Sequence, residues 1–481
     1  MSSSNQTTPA PASKTLTYDA VVIGGGPSGS TVAALLAEAG HKVLVLERGR
    51  FPRFHIGESL MPETYWTFKR LGVLDKMKAS NFVRKHSVQF TSASGRDSAP
   101  FFFDDFDPRE CAVTWQVVRS EFDKMLLENA REKGAEVWED ANVTQVLLEP
   151  TANDNLPRAT GVVVRRGAGY HVADVGQEIP GATIQGTSKG GGQIEGTRGA
   201  AADAGEPITI MAKVVVDATG TNAVLSRKLG IRQADPQLRK AAYFSHYKGA
   251  KRDTGRNEGA TLVLTTAQGD GWFWYIPLPN DVMSVGVVFD LDRYQSQYKS
   301  KGATPEQVLE EEIKACRGLE GRMEKAERIA PVHVLSDYSC RASRCAGEGW
   351  VLVGDAFGFL DPMYSSGVFL ALRSGEMAAD AILSAFETND FSAARLSSWG
   401  DKLSHGMQLI RKLVYTFYTR GFSFGKFLRE FPETKKNITD LLIGNVFYDG
   451  VEDVFVPLSK SVDLPAAMPL DRPGKPVAAG V

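Results

Sequence analysis

The chain has few of the features that mark secreted, metal-binding or nucleic-acid-binding proteins. It holds only four cysteines and seven histidines among 481 residues, and neither set has a metal-ligand spacing such as CxxC. Its 55 Lys and Arg residues nearly balance 57 Asp and Glu residues, so the net charge indicates neither nucleic acid nor anionic lipid as a partner. We therefore expect isolated structural thiols, no metal site and no binding of nucleic acid.

Long apolar runs are also missing. No stretch is long enough to span a bilayer, so stable membrane insertion is not expected. Residues 1–16 lack both the basic start and the apolar core of a signal peptide, which predicts a disordered tail and a cytoplasmic protein. The remaining composition, 43% hydrophobic and 23% charged, is that of a globular protein, and the length predicts two or three structural regions.

The first organised segment has the pattern of a βαβ unit. Residues 18–23 form a short apolar run that is typical of a buried parallel strand. A glycine-rich turn, a helical apolar pattern ending near Gly40 and a second apolar strand follow. This order predicts a Rossmann-type domain that binds a pyrophosphate at the N-terminus of the helix.

The glycines of the turn have separate tasks. Gly24 permits the tight turn, Gly26 lets the backbone approach a pyrophosphate, and Gly29 allows close packing of helix and strand. Glu47 ends the second strand about 20 residues later, where a carboxylate can hold a ribose hydroxyl. The predicted dinucleotide-binding residues of this unit are Gly24, Gly26, Pro27, Ser28, Gly29, Glu47 and Arg48.

Three further fragments indicate which dinucleotide is bound. Gly354-Asp355 resembles the GD segment of the glutathione-reductase-like flavoproteins, whose aspartate contacts the ribityl and pyrophosphate region of FAD. Arg119 resembles the arginine that these proteins place near the FAD phosphates. The segment from Asp217 to Gly220 resembles their second short fingerprint. Together with the glycine turn, the fragments follow the family order, which implies FAD as cofactor.

Three segments narrow the resemblance to the flavin-dependent halogenases. Residues 271–277 (GWFWYIP) match their WxWxIP signature, and residues 359–367 resemble the F-x-D-P-x-x-S-S-G segment beside the isoalloxazine. Residues 51–59 (FPRFHIGES) resemble the FPRxxIGES stretch of the branch that acts on phenols and pyrroles. The residues that this resemblance, over about 18–375, places at the flavin site and its tunnel are Ser59, Trp272, Trp274, Ile276, Pro277, Pro362 and Gly367.

The resemblance implies a reaction of reduced FAD with oxygen and chloride or bromide. Halide attacks a flavin C4a-hydroperoxide and forms hypohalous acid, with backbone amides around Ser366 and Gly367 binding the halide. Trp272 and Trp274 would keep the organic substrate away from the flavin, although alternate aromatic residues on a strand also commonly pack a core. A separate flavin reductase is expected to supply reduced FAD, because no NAD(P)H domain is evident.

The predicted catalytic residue is Lys85, which would hold hypohalous acid for electrophilic attack on the substrate. It lies in residues 81–90 (NFVRKHSVQF), which resemble the family's G-F-x-x-K-x-G-x-x-F segment. Asn81 and Ser87 replace two glycines, and Ser87 could narrow the pocket or change the turn that aims the lysine. The alternative is a solvated lysine in the basic run 84–86.

Other flavoenzyme classes stay open as alternatives. Aromatic hydroxylases carry A-D-G-x-x-S-x-x-R, and here Thr219, Ala223 and Ser226 depart from that pattern. Geranylgeranyl reductases have the same architecture, and the aromatic stretch 413–428 could line a lipid groove, cap a substrate cavity or pack as a helix. A non-catalytic flavin-binding scaffold is a third alternative. The halogenase interpretation implies an electron-rich aromatic substrate of secondary metabolism, a phenol or pyrrole, free or tethered to a carrier protein.

We predict an α/β protein with a glutathione-reductase-like Rossmann FAD-binding domain, an inserted β-rich substrate domain and a helical C-terminal region. The FAD-binding domain would be discontinuous over 17–370, with the β-rich region at about 230–335. A glycine-rich excursion at about 167–207 indicates a tolerated surface insertion. Residues 371–462 are expected to be helical, and residues 463–481 to form a loose tail.

Overall fold

The computed structural model describes residues 15–152, 154–167 and 205–474. The expected tail at 1–16 and the glycine-rich excursion at about 167–207 therefore lie almost entirely outside the described residues. All four cysteines are buried free thiols. Within the described ranges, no helix has the length and apolar character needed to cross a membrane.

The described chain alternates strands and helices up to about residue 130, then is mainly β and finally mainly α. Its strands are β1 (Thr15–Ile23), β2 (Val43–Leu46), β3 (Val83–Lys85), β4 (Ser87–Thr91), β5 (Phe101–Phe102), β6 (Thr114–Gln116), β7 (Glu136–Trp138), β8 (Ala141–Glu149), β9 (Arg158–Arg166), β10 (Ile208–Asp217), β11 (Arg232–Ala234), β12 (Lys240–Lys248), β13 (Thr261–Thr265), β14 (Trp272–Pro277), β15 (Val282–Asp290), β16 (Glu327–Arg328), β17 (His333–Ser336), β18 (Cys340–Ala342), β19 (Ala346–Gly347), β20 (Trp350–Leu352) and β21 (Gly358–Phe359). Its helices are α1 (Pro27–Glu38), α2 (Thr64–Leu71), α3 (Leu74–Ala79), α4 (Arg119–Glu132), α5 (Val224–Lys228), α6 (Leu291–Gln297), α7 (Pro305–Ala315), α8 (Ser366–Thr388), α9 (Ala393–Leu396), α10 (Gly400–Tyr418), α11 (Phe424–Glu430), α12 (Lys435–Ile443) and α13 (Phe455–Leu458).

The first sheet is the predicted Rossmann-type sheet. Its strands run in the order β19-β20-β10-β1-β2-β7, with β9 joining β10 to β8. The central strands β20, β10, β1, β2 and β7 are parallel, and most of their apolar residues are buried, as is typical of parallel sheets. Parallel strands end at one edge, which brings together the turn after β1, Glu47, Asp217 and Gly354.

The second sheet is the predicted β-rich domain, with strand order β16-β12-β15-β14-β13-β4-β5 and β17 beside β12. It includes β4 and β5, which lie outside the predicted range of about 230–335. Strand β4 pairs in parallel with β13, so the segment that follows Lys85 is anchored in this domain. A long-range parallel pairing leaves no local signal, which is why composition alone did not assign β4 here.

Strand β14 separates two apolar cores. Trp272, Trp274 and Ile276 join the core shared with the FAD-binding domain, whereas Phe273 and Tyr275 join the opposite core beneath α7. The alternation follows from the two-residue period of a strand. The two signature tryptophans therefore face the side on which the FAD-binding domain lies.

The C-terminal region is helical, as the sequence predicts, and begins with α8. The part of the tail that the structure describes, residues 463–474, contains neither helix nor strand. It is nevertheless hydrogen bonded to the body of the protein, because Arg341 donates to the carbonyl of Pro469 at 3.0 Å and Arg411 to that of Ala466 at 2.9 Å.

Candidate active site

The glycine turn after β1 divides into packed and open positions. A Cβ atom on Gly24, where φ is +106°, would lie 2.4 Å from the carbonyl oxygen of Ala218. A Cβ atom on Gly29 would lie 2.0 Å from the carbonyl oxygen of Gly24. On Gly26, in contrast, the nearest atom would be a guanidinium nitrogen of Arg53 at 3.6 Å. Gly24 and Gly29 thus serve packing, whereas Gly26 has room for a Cβ atom in ordinary contact with Arg53.

Glu47 holds this turn in place. Its buried carboxylate accepts hydrogen bonds from the backbone amides of Gly25 at 2.8 Å and Gly49 at 2.9 Å. A carboxylate has about four lone-pair positions, so it can accept a further hydroxyl hydrogen bond. The neighbouring Arg48 is exposed.

The edge has the hydrogen-bond donors that a dinucleotide needs. Helix α1 begins at Pro27 without a side-chain cap, so its first backbone amides are available to an anion. Gly354 packs against Ser28, since a Cβ atom there would lie 2.7 Å from the Ser28 hydroxyl. Asp355 follows; its backbone carbonyl accepts a hydrogen bond from Arg232 at 3.1 Å, whereas its carboxylate accepts none from a described residue. Burial raises the pKa of that carboxyl to about 6, although Arg119 and Arg232 oppose the shift. These features fit FAD.

Arg119 lies at the start of α4 and is buried. Its guanidinium forms two hydrogen bonds with Asp123, at 2.8 Å and 3.0 Å. It also donates to the carbonyl of Ile56, and to that of Gly57 at 3.3 Å. Arg119 therefore orders the loop that carries the FPRFHIGES segment, and its contact with FAD phosphates stays a prediction.

The Asp217 carboxylate is hydrogen bonded to residues that follow it closely in sequence. Its carboxylate accepts from the Thr219 hydroxyl at 2.6 Å, the Thr219 amide at 3.0 Å and the Leu225 amide at 2.7 Å. Burial raises the pKa of this carboxyl, although these hydrogen bonds oppose the shift. Gly220 adopts a φ of +61° in the same turn. The structure thus gives Asp217 and Gly220 a role in shaping the turn after β10.

The segment 359–367 leads into a second helix N-terminus at this edge. Ser365 adopts a left-handed conformation, and α8 starts at Ser366 without a side-chain cap. A Cβ atom on Gly367 would lie 2.9 Å from the ring of Phe359, so glycine is needed for close packing. Pro362 opens the short turn before the helix. The uncapped amides of a 23-residue helix suit an anion.

Trp272 is tied to this segment through a tyrosine. Its indole N–H donates to the Tyr418 hydroxyl at 2.9 Å, and that hydroxyl donates to the Asp361 carboxylate at 3.1 Å. Burial raises the pKa of Asp361 to about 6, and Lys240 opposes the shift. The Lys240 ammonium also lies 3.7 Å from the centre of the Tyr418 ring. Sequence reasoning placed the stretch 413–428 over a cavity or in a packed helix and missed this hydrogen bond.

Trp274 is held by a different partner. Its indole N–H donates to the Ser284 hydroxyl at 3.1 Å, and its ring lies 5.5 Å from that of Phe244. The centres of the Trp272 and Trp274 rings are 6.0 Å apart. Ile276 and Pro277 continue the strand and are buried. Both tryptophans are therefore fixed by hydrogen bonds as well as by packing.

Lys85 is buried, with 4% of its surface exposed, unlike the solvated lysine of the alternative interpretation. Its ammonium nitrogen donates to the Ser59 hydroxyl at 2.8 Å and to the Leu60 carbonyl at 3.1 Å, and lies 5.5 Å from the centre of the Phe103 ring. Burial lowers the pKa of Lys85 to about 7. The lysine therefore exchanges its proton near neutral pH.

Two residues that sequence reasoning did not assign complete the surroundings of Lys85. The Ser59 hydroxyl shares a hydrogen bond of 2.9 Å with the Thr261 hydroxyl. The Gln116 side-chain amide donates to Thr261 at 2.9 Å and to the Gly259 carbonyl at 3.0 Å. Thr261 is contributed by β13, and no local pattern links it to Lys85. Only the folded sheet brings these groups together.

The two departures from the family pattern lie beside Lys85 in sequence. Ser87 is buried, and its hydroxyl donates to the Asn257 side chain at 2.7 Å. Asn81 is exposed before β3. Ser87 thus anchors the start of β4 to the loop before β13, and Lys85 has its own partners.

Three potential metal ligands also meet outside this site, at Glu63, Asp107 and Cys111. Arg109 lies among them, and its guanidinium is 2.7 Å from the carboxylate of Glu63 and 2.6 Å from that of Asp107. The arginine supplies the positive charge that these carboxylates need, so the cluster is accounted for by an ion-pair network.

The chain matches two protein families. Residues 17–172 match an FAD-binding domain family, and residues 178–442 match the tryptophan halogenase family. The chain is 30% identical over 450 residues to a 1H-pyrrole-2-carbonyl-[peptidyl-carrier protein] chlorinase of Pseudomonas fluorescens, covering 89% of this chain and 90% of the relative. It is 32% identical over 432 residues to the corresponding brominase of Pseudoalteromonas luteoviolacea, covering 89% and 92%.

The fold agrees with these matches. The solved structure of the flavin-dependent brominase Bmp2 superposes with a TM-score of 0.74 at 29% identity, covering 92% of this chain and 98% of that one. The predicted fold class, the FAD cofactor and the halide co-substrate are confirmed by the family match and by these relatives. The chain belongs to the family of flavin-dependent halogenases.

Proposed function

We propose that the protein halogenates a pyrrole-type or related electron-rich aromatic that is tethered to a carrier protein, with Lys85 as the catalytic residue. The observation that carries the proposal is the buried Lys85 nitrogen, which is held by Ser59 and Leu60 and has no carboxylate in its ion-pairing range among the described residues. A cation placed in this way is costly in stability, and such groups concentrate at functional sites.

Gly26, Glu47 and Asp355 would hold FAD at this edge, and the first backbone amides of α1 would bind its pyrophosphate. Reduced FAD, oxygen and halide together supply hypohalous acid. The uncapped amides of Ser366 and Gly367 are the proposed halide site, since exposed N–H groups suit an anion. The hydrogen-bonded tryptophans of β14 separate this region from bulky organic molecules.

Lys85 then receives hypohalous acid on the other side of Ser59. As an ammonium, it has three N–H donors, of which Ser59 and Leu60 take two and leave one for the electrophile. As an amine, it keeps a free lone pair that can accept the halogen. A pKa of about 7 makes both forms accessible at neutral pH.

The partners follow from the same chemistry. The two pyrrole halogenases to which the chain is similar act on carrier-bound pyrrole-2-carbonyl groups, and the FPRFHIGES segment supports an aromatic of that kind. A separate flavin reductase supplies the reduced FAD. The proposed location of the reaction is the cytoplasm, where both partners are made.

The test supplies chemically reduced FAD, oxygen and bromide to the purified protein. One sample contains a pyrrole-2-carbonyl group on a carrier protein, and parallel samples contain a free pyrrole amide and a free phenol. We expect a mass shift for one bromine on the carrier-bound substrate, with smaller yields on the free compounds. Bromination of the free compounds alone would contradict a carrier-bound substrate.

A control separates halogenation from hydroxylation. NADPH without a reductase should leave the flavin oxidised, and an added flavin reductase should start turnover. Rapid NADPH oxidation that a phenol stimulates, with an oxygen atom added to the product, would favour an aromatic hydroxylase instead.

A further inference from the structure

The proposed function leaves one buried acid–base pair without a role. The Glu58 carboxylate lies 2.6 Å from the imidazole Nε2 of His246, and Glu58 is only 3% exposed. The second carboxylate oxygen of Glu58 is buried without a hydrogen-bond partner among the described residues, and so is Nε2 of His333. Phe54 lies 5.8 Å from the His246 ring and 4.4 Å from the His333 ring. Buried polar atoms without partners are rare and often mark function.

The segment that carries Glu58 connects the two proposed reaction centres, the halide amides and Lys85. Gly57 packs beside α8, since a Cβ atom there would lie 3.7 Å from Val368, the residue after the proposed halide amides. Ser59 accepts the hydrogen bond of Lys85. Residues 58–60 lie beside residues 115–117, since the Leu60 amide donates to the carbonyl of Trp115 and the Val117 amide to that of Glu58. Successive side chains of an extended segment point to opposite sides, so Glu58 faces away from Lys85.

The side that Glu58 faces is the side of the tryptophans. His246 lies opposite Ser284 in the pairing of β12 with β15, and Ser284 accepts the hydrogen bond of Trp274. The Phe244 ring contacts both Trp274, at 5.5 Å between ring centres, and His333, at 5.4 Å. The acid–base pair therefore belongs to the flavin side of the segment 57–60.

The reaction has a need that such a pair meets. For an aromatic ArH and a halide X⁻, the balance is FADH2 + O2 + X⁻ + ArH + H⁺ → FAD + ArX + 2 H2O. One oxygen atom of O2 leaves with hypohalous acid and the other leaves as water, which takes up a proton. A buried acid–base pair on the side of the tryptophans would supply this proton inside the site.

We propose that Glu58 and His246 hold the proton that halide oxidation consumes and donate it on the flavin side of the site. This inference rests on the proposed function and adds two residues to it. In the step, an N–H or O–H bond of the pair breaks and an O–H bond forms on the leaving oxygen, while the pair transfers no electrons. Solvent then returns the proton to the pair.

The electrostatics support a proton on this pair. Burial alone would lower the pKa of His246, but the charge and hydrogen bond of Glu58 raise it above its usual value. Burial and the neighbouring His246 lower the pKa of His333, so His333 is neutral beside a protonated pair. The arrangement therefore places one proton on the Glu58–His246 pair and leaves His333 neutral, so that a ring nitrogen of His333 can accept a hydrogen bond.

The experiment compares Glu58→Gln with Glu312→Gln. Glutamine keeps a hydrogen-bond acceptor for His246 and removes the charge. Glu312 is a matched control, because it is also buried, pairs with Arg293 through one oxygen and has its other oxygen without a partner, but lies in the opposite core. In the intact protein, ¹³C NMR of labelled histidines should show a lower pKa for His246 in Glu58→Gln and an unchanged one in Glu312→Gln.

The second readout follows the oxygen. With reduced FAD, oxygen, bromide and a small diffusible scavenger of hypohalous acid, Glu58→Gln should form about 100-fold less hypohalous acid and release hydrogen peroxide instead, with unchanged FAD affinity. The Lys85→Ala variant should still form hypohalous acid at the rate of the wild type. If Glu58→Gln fails to fold, His246→Gln serves instead. Normal hypohalous acid formation in a folded variant overturns this inference alone, whereas no halogenation by the wild-type protein overturns the proposed function as well.

Discussion

The nucleotide-binding edge and the Lys85 pocket bury polar groups in opposite ways. At the edge, Glu47 and Asp217 accept hydrogen bonds from backbone amides of adjacent turns, so the chain itself stabilises these carboxylates. In the pocket, Lys85 is buried with only neutral partners, and burial lowers its pKa to about 7. The residues of the nucleotide-binding edge thus also stabilise the fold. In the pocket, burial of Lys85 lowers the stability of the fold and yields a reactive amine.

The largest expected effect is on catalysis at the pocket. Replacing Lys85 by alanine should leave FAD affinity and hypohalous acid formation nearly unchanged. Halogenated product should fall by about 1000-fold or more, because positioning and activation of the electrophile are lost together. Product is measured by mass spectrometry and hypohalous acid with a diffusible scavenger. Lys85→Arg should restore little, because a guanidinium stays charged and has a different shape.

Neighbouring basic residues provide the controls for this prediction. Arg84 lies over the Trp115 ring at 4.7 Å and donates to the Lys78 carbonyl, so Arg84→Ala should change product yield by less than about threefold. His86→Ala should behave in the same way. Equal losses in all three variants would mean that Lys85 is not the catalytic group.

At the edge, two glycines should respond differently to alanine. Gly29→Ala places a Cβ atom 2.0 Å from the carbonyl oxygen of Gly24 and should lower the free energy of unfolding by about 3 kcal/mol or more. Gly26→Ala meets no atom closer than 3.6 Å, so it should cost the apoprotein less than about 1 kcal/mol but weaken FAD binding at least about tenfold. Denaturation of the apoprotein and FAD titration measure both effects. Similar FAD affinities for Gly26→Ala and the wild type would contradict the assigned pyrophosphate position.

The same contrast explains how much could be predicted from sequence. The edge is encoded locally: Gly24, Gly29 and Glu47 lie within one βαβ unit, and their spacing alone predicts their arrangement. The fold class and the FAD cofactor follow from such contiguous fragments, and the comparisons confirm them. The role of Lys85 rested on resemblance, because a lysine in a basic run has no local feature that distinguishes it from a solvated one.

The partners of Lys85 could not be predicted for a topological reason. Thr261 and Gln116 come from β13 and β6, and the parallel pairing of β4 with β13 positions one of them. The bonded chain from Trp272 through Tyr418 to Asp361 likewise joins three distant segments. Hydrogen bonds between residues so far apart follow from strand register and helix packing, which leave no signature in either segment.

A smaller effect is expected at the carboxylate of the edge. Glu47→Ala removes the acceptor for the amides of Gly25 and Gly49 and leaves two buried N–H groups without a partner. The apoprotein should lose about 1–3 kcal/mol of stability, and FAD binding should weaken by a similar amount. Glu47→Gln should lose less, since an amide oxygen still accepts one hydrogen bond. If FMN binds as tightly as FAD, the assignment of this edge to the adenosine half of FAD is wrong.

The smallest expected effect is a gain in stability instead of a loss, and it tests whether Lys85 is buried as a charge. In the folded apoprotein the pKa of Lys85 falls from 10.5 to about 7, so the unfolded chain binds a proton more tightly than the folded one. At about 1.4 kcal/mol per pKa unit, burial of this charge lowers the free energy of unfolding by about 5 kcal/mol below pH 7, by less as the pH rises, and not at all above pH 10.5.

Lys85→Met removes this cost, fills the same volume and loses two hydrogen bonds. Lys85→Met should therefore be more stable than wild type by about 1–2 kcal/mol at pH 7 and lose that advantage by pH 9–10. Urea denaturation of the apoprotein at several pH values measures the difference. A variant less stable than wild type at pH 7, or a difference independent of pH, would show that Lys85 is not a strained buried charge.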